Sequence, residues 1–100
     1  MKIKSGASIQ GLDIRMRPAL VEADVIWSQR GKELVVTSGL DGEHIPASLH
    51  YYGLAVDLRT RYFTKEEKEE VRQELQTALG MSFDVISEKS NMHVEYNNGY

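Results

Sequence analysis

Hydrophobic and polar positions alternate with two different periods along the chain, and the change of period marks the predicted elements. Helical spacing predicts helices over residues 17–30 and 64–79, while alternating or β-branched runs predict strands over 33–38, 53–58, 82–87 and 92–96. Residues 1–13 hold two short apolar patches and predict at most one edge strand. This order indicates an α+β domain in which a small antiparallel sheet packs against two helices.

Residues that favour helix ends support both predicted helices. Pro18 suits the first turn of the first helix, and Arg30 followed by glycine suits its end. Thr64 and Glu67 have the spacing of a capping box at the start of the second helix. Periodicity predicts that the core contains Trp27 of the first helix, with Leu20, Ala23, Val21 and Val25 at helical spacing around it. In the second helix it predicts a buried stripe of Val71, Leu75, Ala78 and Leu79.

The predicted strand at 53–58 has two different faces. Leu54, Val56 and Leu58 share the face that we expect to meet the helices. Gly53, Ala55 and Asp57 share the opposite face. Small neighbours leave space above the Asp57 carboxylate for an ion or for the backbone of a substrate.

Composition limits the classes of function. The chain has 100 residues, which corresponds to one domain over 1–100, and 41% hydrophobic residues are enough for a single core. A net charge of −3 gives no indication of a nucleic-acid partner or an acidic membrane. Cysteine is absent, so any metal must be bound by His, Asp or Glu. The sequence shows no membrane span and no signal peptide, which predicts a protein that is cytoplasmic at synthesis.

Three residues are candidates for a metal-binding or catalytic role. His50 and Asp57 lie seven residues apart at a predicted loop-to-strand junction, and His93 lies between apolar residues of the last strand. Aspartate is unfavourable inside a strand unless a cation or a hydrogen-bond donor compensates its charge. Two histidines and one carboxylate with a fourth position open are a typical catalytic zinc site. The residue types alone also permit ordinary hydrogen-bonded histidines.

The segment around these residues resembles a known family. Ser48 to Asp57 fits the pattern S-x-H-x-x-G-x-A-x-D in full, and Val-Val-Thr-Ser-Gly before it and Met-His-Val-Glu-Tyr after it add to the likeness, which spans about residues 17–97. The pattern is typical of zinc D-Ala-D-Ala carboxypeptidases and L-Ala-D-Glu peptidases, which are grouped with lysostaphin-type peptidases and the hedgehog N-terminal domain. The amino-acid sequence of this segment is most similar to small phage and prophage members of the family that degrade peptidoglycan, as endolysins do.

This resemblance implies a hedgehog-like or D-Ala-D-Ala peptidase-like fold and a zinc cofactor. His50, Asp57 and His93 match the positions of the metal ligands, with a water in the fourth position. Ser48 matches the motif serine, whose expected role is to orient the site or to bind the substrate carboxylate. Because imidazole must be neutral to bind metal, zinc affinity is expected to fall below about pH 6.

The chain departs from the family pattern where the general base is expected. Many relatives carry Asp or Glu three residues before the last ligand, or His two residues before it, and this chain has Ser90 and Asn91 there. Glu88, on the turn before the last strand, is the favoured candidate base. Glu95 shares the strand face of His93 and is expected to hold that histidine more than to act as a base.

A second departure concerns an arginine that several relatives carry before the motif to stabilise charge on the scissile carbonyl oxygen. This chain has Leu40 and Asp41 there. His44, in the same loop, is a candidate hydrogen-bond donor in its place, although loop histidines are more often simply exposed. Zinc itself polarises a carbonyl group, so this departure does not exclude activity.

Three hypotheses for function follow. The first is a zinc metallopeptidase that cuts peptidoglycan peptides, acting on the cell wall after release from the cell. The second is a zinc-binding module of the same fold that lacks an efficient general base and binds a ligand or partner without hydrolysis. The third is a structural phage or prophage protein that keeps the fold alone.

Overall fold

Two helices and five strands make up the part of the chain that the structure, a computed structural model, describes: residues 1–7, 9–38 and 53–97. The strands are β1 (Lys2–Ile3), β2 (Val35–Ser38), β3 (Ala55–Arg59), β4 (Phe83–Ser87) and β5 (Asn91–Tyr96). The helices are α1 (Arg17–Gln29) and α2 (Lys65–Leu79), and a 3₁₀ turn at Ile14–Met16 leads into α1. The predicted α+β class and each of its main elements are confirmed.

The strands form one sheet in the order β1-β2-β3-β5-β4. All neighbours are antiparallel except β1 and β2, which run parallel, so the prediction of a purely antiparallel sheet is wrong at this edge. The amide of Lys2 donates to the carbonyl of Leu34 at 2.7 Å, and the amide of Lys4 donates to that of Val36 at 2.9 Å. A strand of two exposed residues has no hydrophobic period from which its partner could be predicted.

The core lies between one face of the sheet and the two helices. Val56 and Leu58 of β3 belong to the same buried cluster as Trp27 of α1 and Val71 and Leu75 of α2, as predicted. Trp27 is completely buried, and its indole Nε1 donates to the carbonyl of Arg59 at 3.1 Å. This hydrogen bond connects α1 with the end of β3. It also gives the buried indole N–H a hydrogen-bond partner.

The helix ends follow the local chemistry of the sequence. Thr64 accepts from the amide of Glu67 at 3.1 Å, and the Glu67 carboxylate accepts from the amide of Thr64 at 2.9 Å, which confirms the capping box. The contact faces of the helices are narrower than expected, since Val21 and Val25 are 54% and 49% exposed. Ala78, predicted in the buried stripe of α2, is exposed as well.

Candidate functional site

The register of the central strands brings Asp57 and His93 together. In the antiparallel pair β3–β5, Asp57 lies directly opposite His93, and Ala55 lies opposite Glu95. The residues that alternate with them, such as Val56, point into the core. Asp57, His93 and Glu95 therefore share the sheet face that turns away from the helices, which confirms the predicted orientation of Asp57.

Asp57 and His93 are in direct contact. The Asp57 Oδ1 lies 2.9 Å from the His93 Nδ1, and the two side chains are only 17% and 16% exposed. This hydrogen bond raises the pKa of His93 above its usual value of 6.5, while burial of the ring acts in the opposite direction. Without a metal ion, the carboxylate thus favours a protonated imidazole between the strands.

Glu95 contacts the other nitrogen of the same ring. Its Oε1 lies 2.8 Å from the His93 Nε2, and it adds to the raised pKa of His93. The imidazole is therefore held between two carboxylates that fix its orientation. If Nδ1 binds a metal, Nε2 carries the ring proton and donates it to Glu95, an arrangement that strengthens histidine as a ligand.

Two of the predicted ligands can be tested for their fit to zinc. Zinc bonds of about 2.0–2.1 Å in a tetrahedron place two ligand atoms about 3.3 Å apart. The Asp57 Oδ1 and His93 Nδ1, at 2.9 Å, need to separate by only about 0.4 Å to reach that spacing. One carboxylate oxygen and one imidazole nitrogen are also donors that zinc prefers, so these residues fit the ion.

The remaining predicted residues of the motif, His50 and Ser48, lie outside the described residues, as does His44. Within residues 1–7, 9–38 and 53–97, no group of three His, Asp or Glu side chains is arranged to hold a metal ion. The third ligand thus remains a prediction, and so does the role of Ser48.

The two candidate bases occupy different places. Glu88 is exposed on the β4–β5 turn, where its amide donates to the carbonyl of Asn91 at 2.8 Å. Glu95, in contrast, is engaged with His93. Neither placement tests which carboxylate takes a proton, but only Glu95 contacts a predicted ligand among the described residues.

Asn91 and Ser90 occupy the positions where the zinc peptidases that the motif resembles carry a base. The Asn91 Oδ1 lies 3.2 Å from the hydroxyl of Thr37, which also lies 3.3 Å from the carbonyl oxygen of Asp57. The register shift between Val36 and Ser38 in β2 accompanies this contact. Ser90 is exposed, and its carbonyl accepts from the amide of Thr60 at 2.9 Å, which fixes the turn beside the end of β3.

A cavity of about 220 Å³ opens beside Asp57, and we name it the basic pocket. Three cationic residues, Lys4, Arg59 and Arg61, line it together with Asp57; the other lining residues are Thr37, Ser90 and Asn91. Sequence reasoning did not single out these cations, because they come from separate parts of the chain. One signal was present for Arg59: it follows Asp57 by two residues and therefore shares its strand face.

A larger cavity of about 690 Å³ is a groove between α1 and α2, lined by residues such as Val25 and Glu74. Of the predicted ligands that the structure describes, Asp57 and His93, neither lines this groove.

No protein-family model matches the chain, and a search of curated proteins finds no match either. None of the described helices is long and apolar enough to span a bilayer.

Proposed function

We propose that this protein is a zinc-dependent peptidase that hydrolyses peptide bonds of bacterial cell-wall peptidoglycan, of the D-Ala-D-Ala carboxypeptidase or L-Ala-D-Glu endopeptidase type. The observation that carries the proposal is the contact between Asp57 and His93, whose facing atoms lie 2.9 Å apart on the sheet face opposite the helices. The segment from Ser48 to Asp57 resembles the zinc peptidase motif. This resemblance supplies the reaction class and the expectation of a peptidase-like fold.

Each residue has a role in this proposal. Asp57 and His93 bind the metal together with His50, and Glu95 keeps the His93 ring in the orientation in which Nδ1 faces Asp57. A bound zinc ion supplies a water with a pKa lowered towards about 7 and polarises the scissile carbonyl. Glu88 is the proposed general base, which would accept a proton from the attacking water. Hydrolysis adds the water across the peptide C–N bond and leaves a carboxylate and an amine.

Metal content measured together with hydrolysis tests the proposal. The purified protein should contain one zinc ion per chain, and it should release D-alanine or peptides from purified peptidoglycan only while that zinc is bound. Substitution of His50, Asp57 or His93 by Ala should remove roughly stoichiometric zinc and abolish hydrolysis.

Asp84→Asn is the matched control for Asp57. Asp84 lies opposite Glu95 in the β4–β5 pair, is exposed, and contacts Asn97 at 2.9 Å. Its substitution should leave zinc in place. Unchanged zinc content in both His50→Ala and His93→Ala would refute the metal site.

A zinc-binding module without hydrolysis is the second candidate. Ser90 and Asn91 favour it, since neither side chain is a base at the position where relatives carry one. The exposed location of Glu88 on the turn also favours it. Stoichiometric zinc with release of neither D-alanine nor peptides from peptidoglycan would select this function.

A further inference from the structure

The two edges of the sheet differ in how they are protected against pairing with a further strand. In the described part of the chain, β1 and β4 are the outer strands. An edge strand exposes backbone N–H and C=O groups that another chain can bind, and natural edges are often short or carry lysine. β1 has only two residues, with Lys2 in it and Lys4 just after it. β4 has five residues, Phe-Asp-Val-Ile-Ser, and neither form of protection.

The hydrogen bonds at the two ends of β4 show which of its backbone groups face this edge. The amide of Asn97 donates to the carbonyl of Ser82 at 2.8 Å, and the amide of Glu88 donates to the carbonyl of Asn91 at 2.8 Å. In an antiparallel pair, every second residue bonds to the neighbouring strand. The residues of β4 whose N–H and C=O groups point away from β5 are therefore Phe83, Val85 and Ser87.

One side chain of α2 occupies the centre of this edge in place of a strand. The Gln76 Nε2 donates to the carbonyl of Phe83 at 2.7 Å, and the Gln76 Oε1 accepts from the amide of Val85 at 3.0 Å. A neighbouring strand would form hydrogen bonds with the same two groups. The Gln76 Nε2 also donates to the carbonyl of Gly80 at 2.9 Å, which anchors the side-chain amide at the end of α2.

The remainder of the edge is open. Among the described residues, no hydrogen bond reaches the edge-facing amide of Ser87. A cavity of about 500 Å³ lies beside the strand, and Gln76, Met81 and Phe83 are among the residues that line it. Met81 is 90% exposed. Space for a further strand is therefore present next to β4, and the side chain of Gln76 lies in the way.

We propose that Gln76 caps the β4 edge and that, without this cap, β4 pairs with β4 of a second copy of the chain. The sequence of the strand suits this partner. In an antiparallel pair centred on Val85, Asp84 lies opposite Ile86 of the second copy, so no like charges face each other directly. The same register joins all three edge-facing residues to edge-facing residues of the second copy. This proposal does not depend on the zinc site.

Analytical ultracentrifugation of matched variants tests the proposal. Gln76→Met keeps the length of the side chain but removes its hydrogen bonds. Its dimerisation constant should exceed that of the wild type about tenfold or more, because the wild type must break the cap before it pairs. Gln76→Asn, which is one methylene shorter, should act in the same direction. Gln73→Met is the control and should sediment like the wild type, because Gln73 is exposed on the same helix and its amide contacts Glu69.

A second substitution locates the association on the edge. Ser87→Pro removes an N–H that faces the edge, and proline is tolerated at such positions of edge strands. The double variant Gln76→Met/Ser87→Pro should therefore return to the dimerisation constant of the wild type. In Gln76→Met alone, hydrogen exchange of the Ser87 amide should slow as protein concentration rises, because pairing gives this amide an acceptor.

The outcomes decide the role of Gln76. An equal dimerisation constant in the wild type and both Gln76 variants would overturn the proposal, and so would association that the proline does not reverse. Equal association of Gln73→Met would assign the effect to added apolar surface and would also overturn it. Circular dichroism follows folding, and loss of the folded spectrum in both Gln76 variants would assign Gln76 to the stability of the fold instead. Exchange of the Ser87 amide decides if the double variant is not folded.

Discussion

Asp57 and His93 face each other across two antiparallel strands, with the Asp57 Oδ1 2.9 Å from the His93 Nδ1. The register of β3 and β5 sets this distance, so no loop has to move to bring the two side chains together. Glu95, two residues further along β5, contacts the opposite side of the ring. Among the described residues, His93 thus lies between two carboxylates, and the effect of each carboxylate on the imidazole can be measured in protein prepared without metal.

The first prediction concerns protonation of His93. In the metal-free protein its pKa should lie above 6.5, because both ring nitrogens hydrogen-bond to carboxylates. Asp57→Asn should lower this pKa more than Glu95→Gln, since Asp57 is the larger cause. NMR titration of the imidazole protons measures both effects. A pKa at or below 6.5 in the metal-free wild type would contradict the contact.

The sign of the effect on stability follows from the raised pKa. A group whose pKa is higher in the folded state stabilises the fold fully below its unfolded value, about 6.5 for histidine, and this contribution is lost as pH rises through the folded pKa. Zinc has to displace the Nδ1 proton. As pH is lowered, zinc affinity should therefore begin to fall while the pH is still above 6.5, and not only near pH 6 as expected for an ordinary histidine. Zinc binding measured between pH 5 and 8 tests this shift.

The second prediction separates the roles of Glu88 and Glu95. Glu95→Gln should weaken zinc binding about 10- to 100-fold, because Glu95 accepts the Nε2 proton of the ligand His93. Glu88→Gln should leave zinc bound and lower hydrolysis about 10²- to 10⁴-fold, the usual cost of losing a general base. Metal content and hydrolysis rate are measured on the same samples.

Glu66→Gln is the control for both substitutions, because Glu66 is exposed in the first turn of α2 and away from the sheet face of His93. It should change neither zinc content nor rate. If Glu88→Gln leaves the rate unchanged and Glu95→Gln abolishes hydrolysis at full zinc occupancy, the two roles are reversed.

Local features of the sequence predicted the fold well, and contacts between distant segments escaped prediction. The capping box of Thr64 and Glu67 was readable because its residues are three positions apart, and the burial of Trp27 followed from helical periodicity. The parallel pairing of β1 with β2 joins segments about thirty residues apart through only two residues, Lys2 and Ile3. Alternation along such a short exposed strand does not reveal its partner.

In the candidate site, too, features within one strand were predicted and contacts between distant segments were not. The strand face of Asp57 followed from alternation within 53–58, and the contact between His93 and Glu95 followed from their spacing of two residues. The basic pocket was not predictable, because its cations come from the segment after β1 and from the end of β3. Only the order of the strands in the sheet places Lys4 near Arg59.

The third prediction concerns the glycine of the motif. Gly53 has φ +74°, and a Cβ at this position would lie 2.9 Å from the carbonyl oxygen of Gly11 and 3.1 Å from the amide nitrogen of Asp13. The amide of Asp13 also donates to the Gly53 carbonyl at 2.9 Å. Gly53→Ala should therefore destabilise the protein by about 2–3 kcal/mol, because the left-handed conformation costs about 1–2 kcal/mol and the segment at 11–13 must shift.

Gly31→Ala provides a matched comparison for Gly53. Gly31, just after the end of α1, has φ +72°, but a Cβ there would meet nothing within 4 Å. Its substitution should cost only the conformational part, about 1–2 kcal/mol. Urea unfolding of both variants measures the difference, and equal destabilisation would show that the contact with residues 11–13 adds nothing.

The last prediction is a gain of activity at Ser90. The zinc peptidases that the motif resembles carry a carboxylate at this position, three residues before the proposed last ligand His93, and Ser90 lines the basic pocket together with Asp57. Its side chain is exposed, and the turn is fixed by the backbone hydrogen bond from Thr60, so a larger side chain does not require the core to repack. Ser90→Glu places a proton acceptor beside the candidate metal site. We expect hydrolysis to rise about 10²-fold or more if the wild type lacks an efficient base, with zinc content unchanged. Ser90→Gln, of the same size but without a carboxylate, should give no increase. An increase in both variants would assign the effect to side-chain size, and no increase in Ser90→Glu at full zinc occupancy would show that this position does not reach the reacting water.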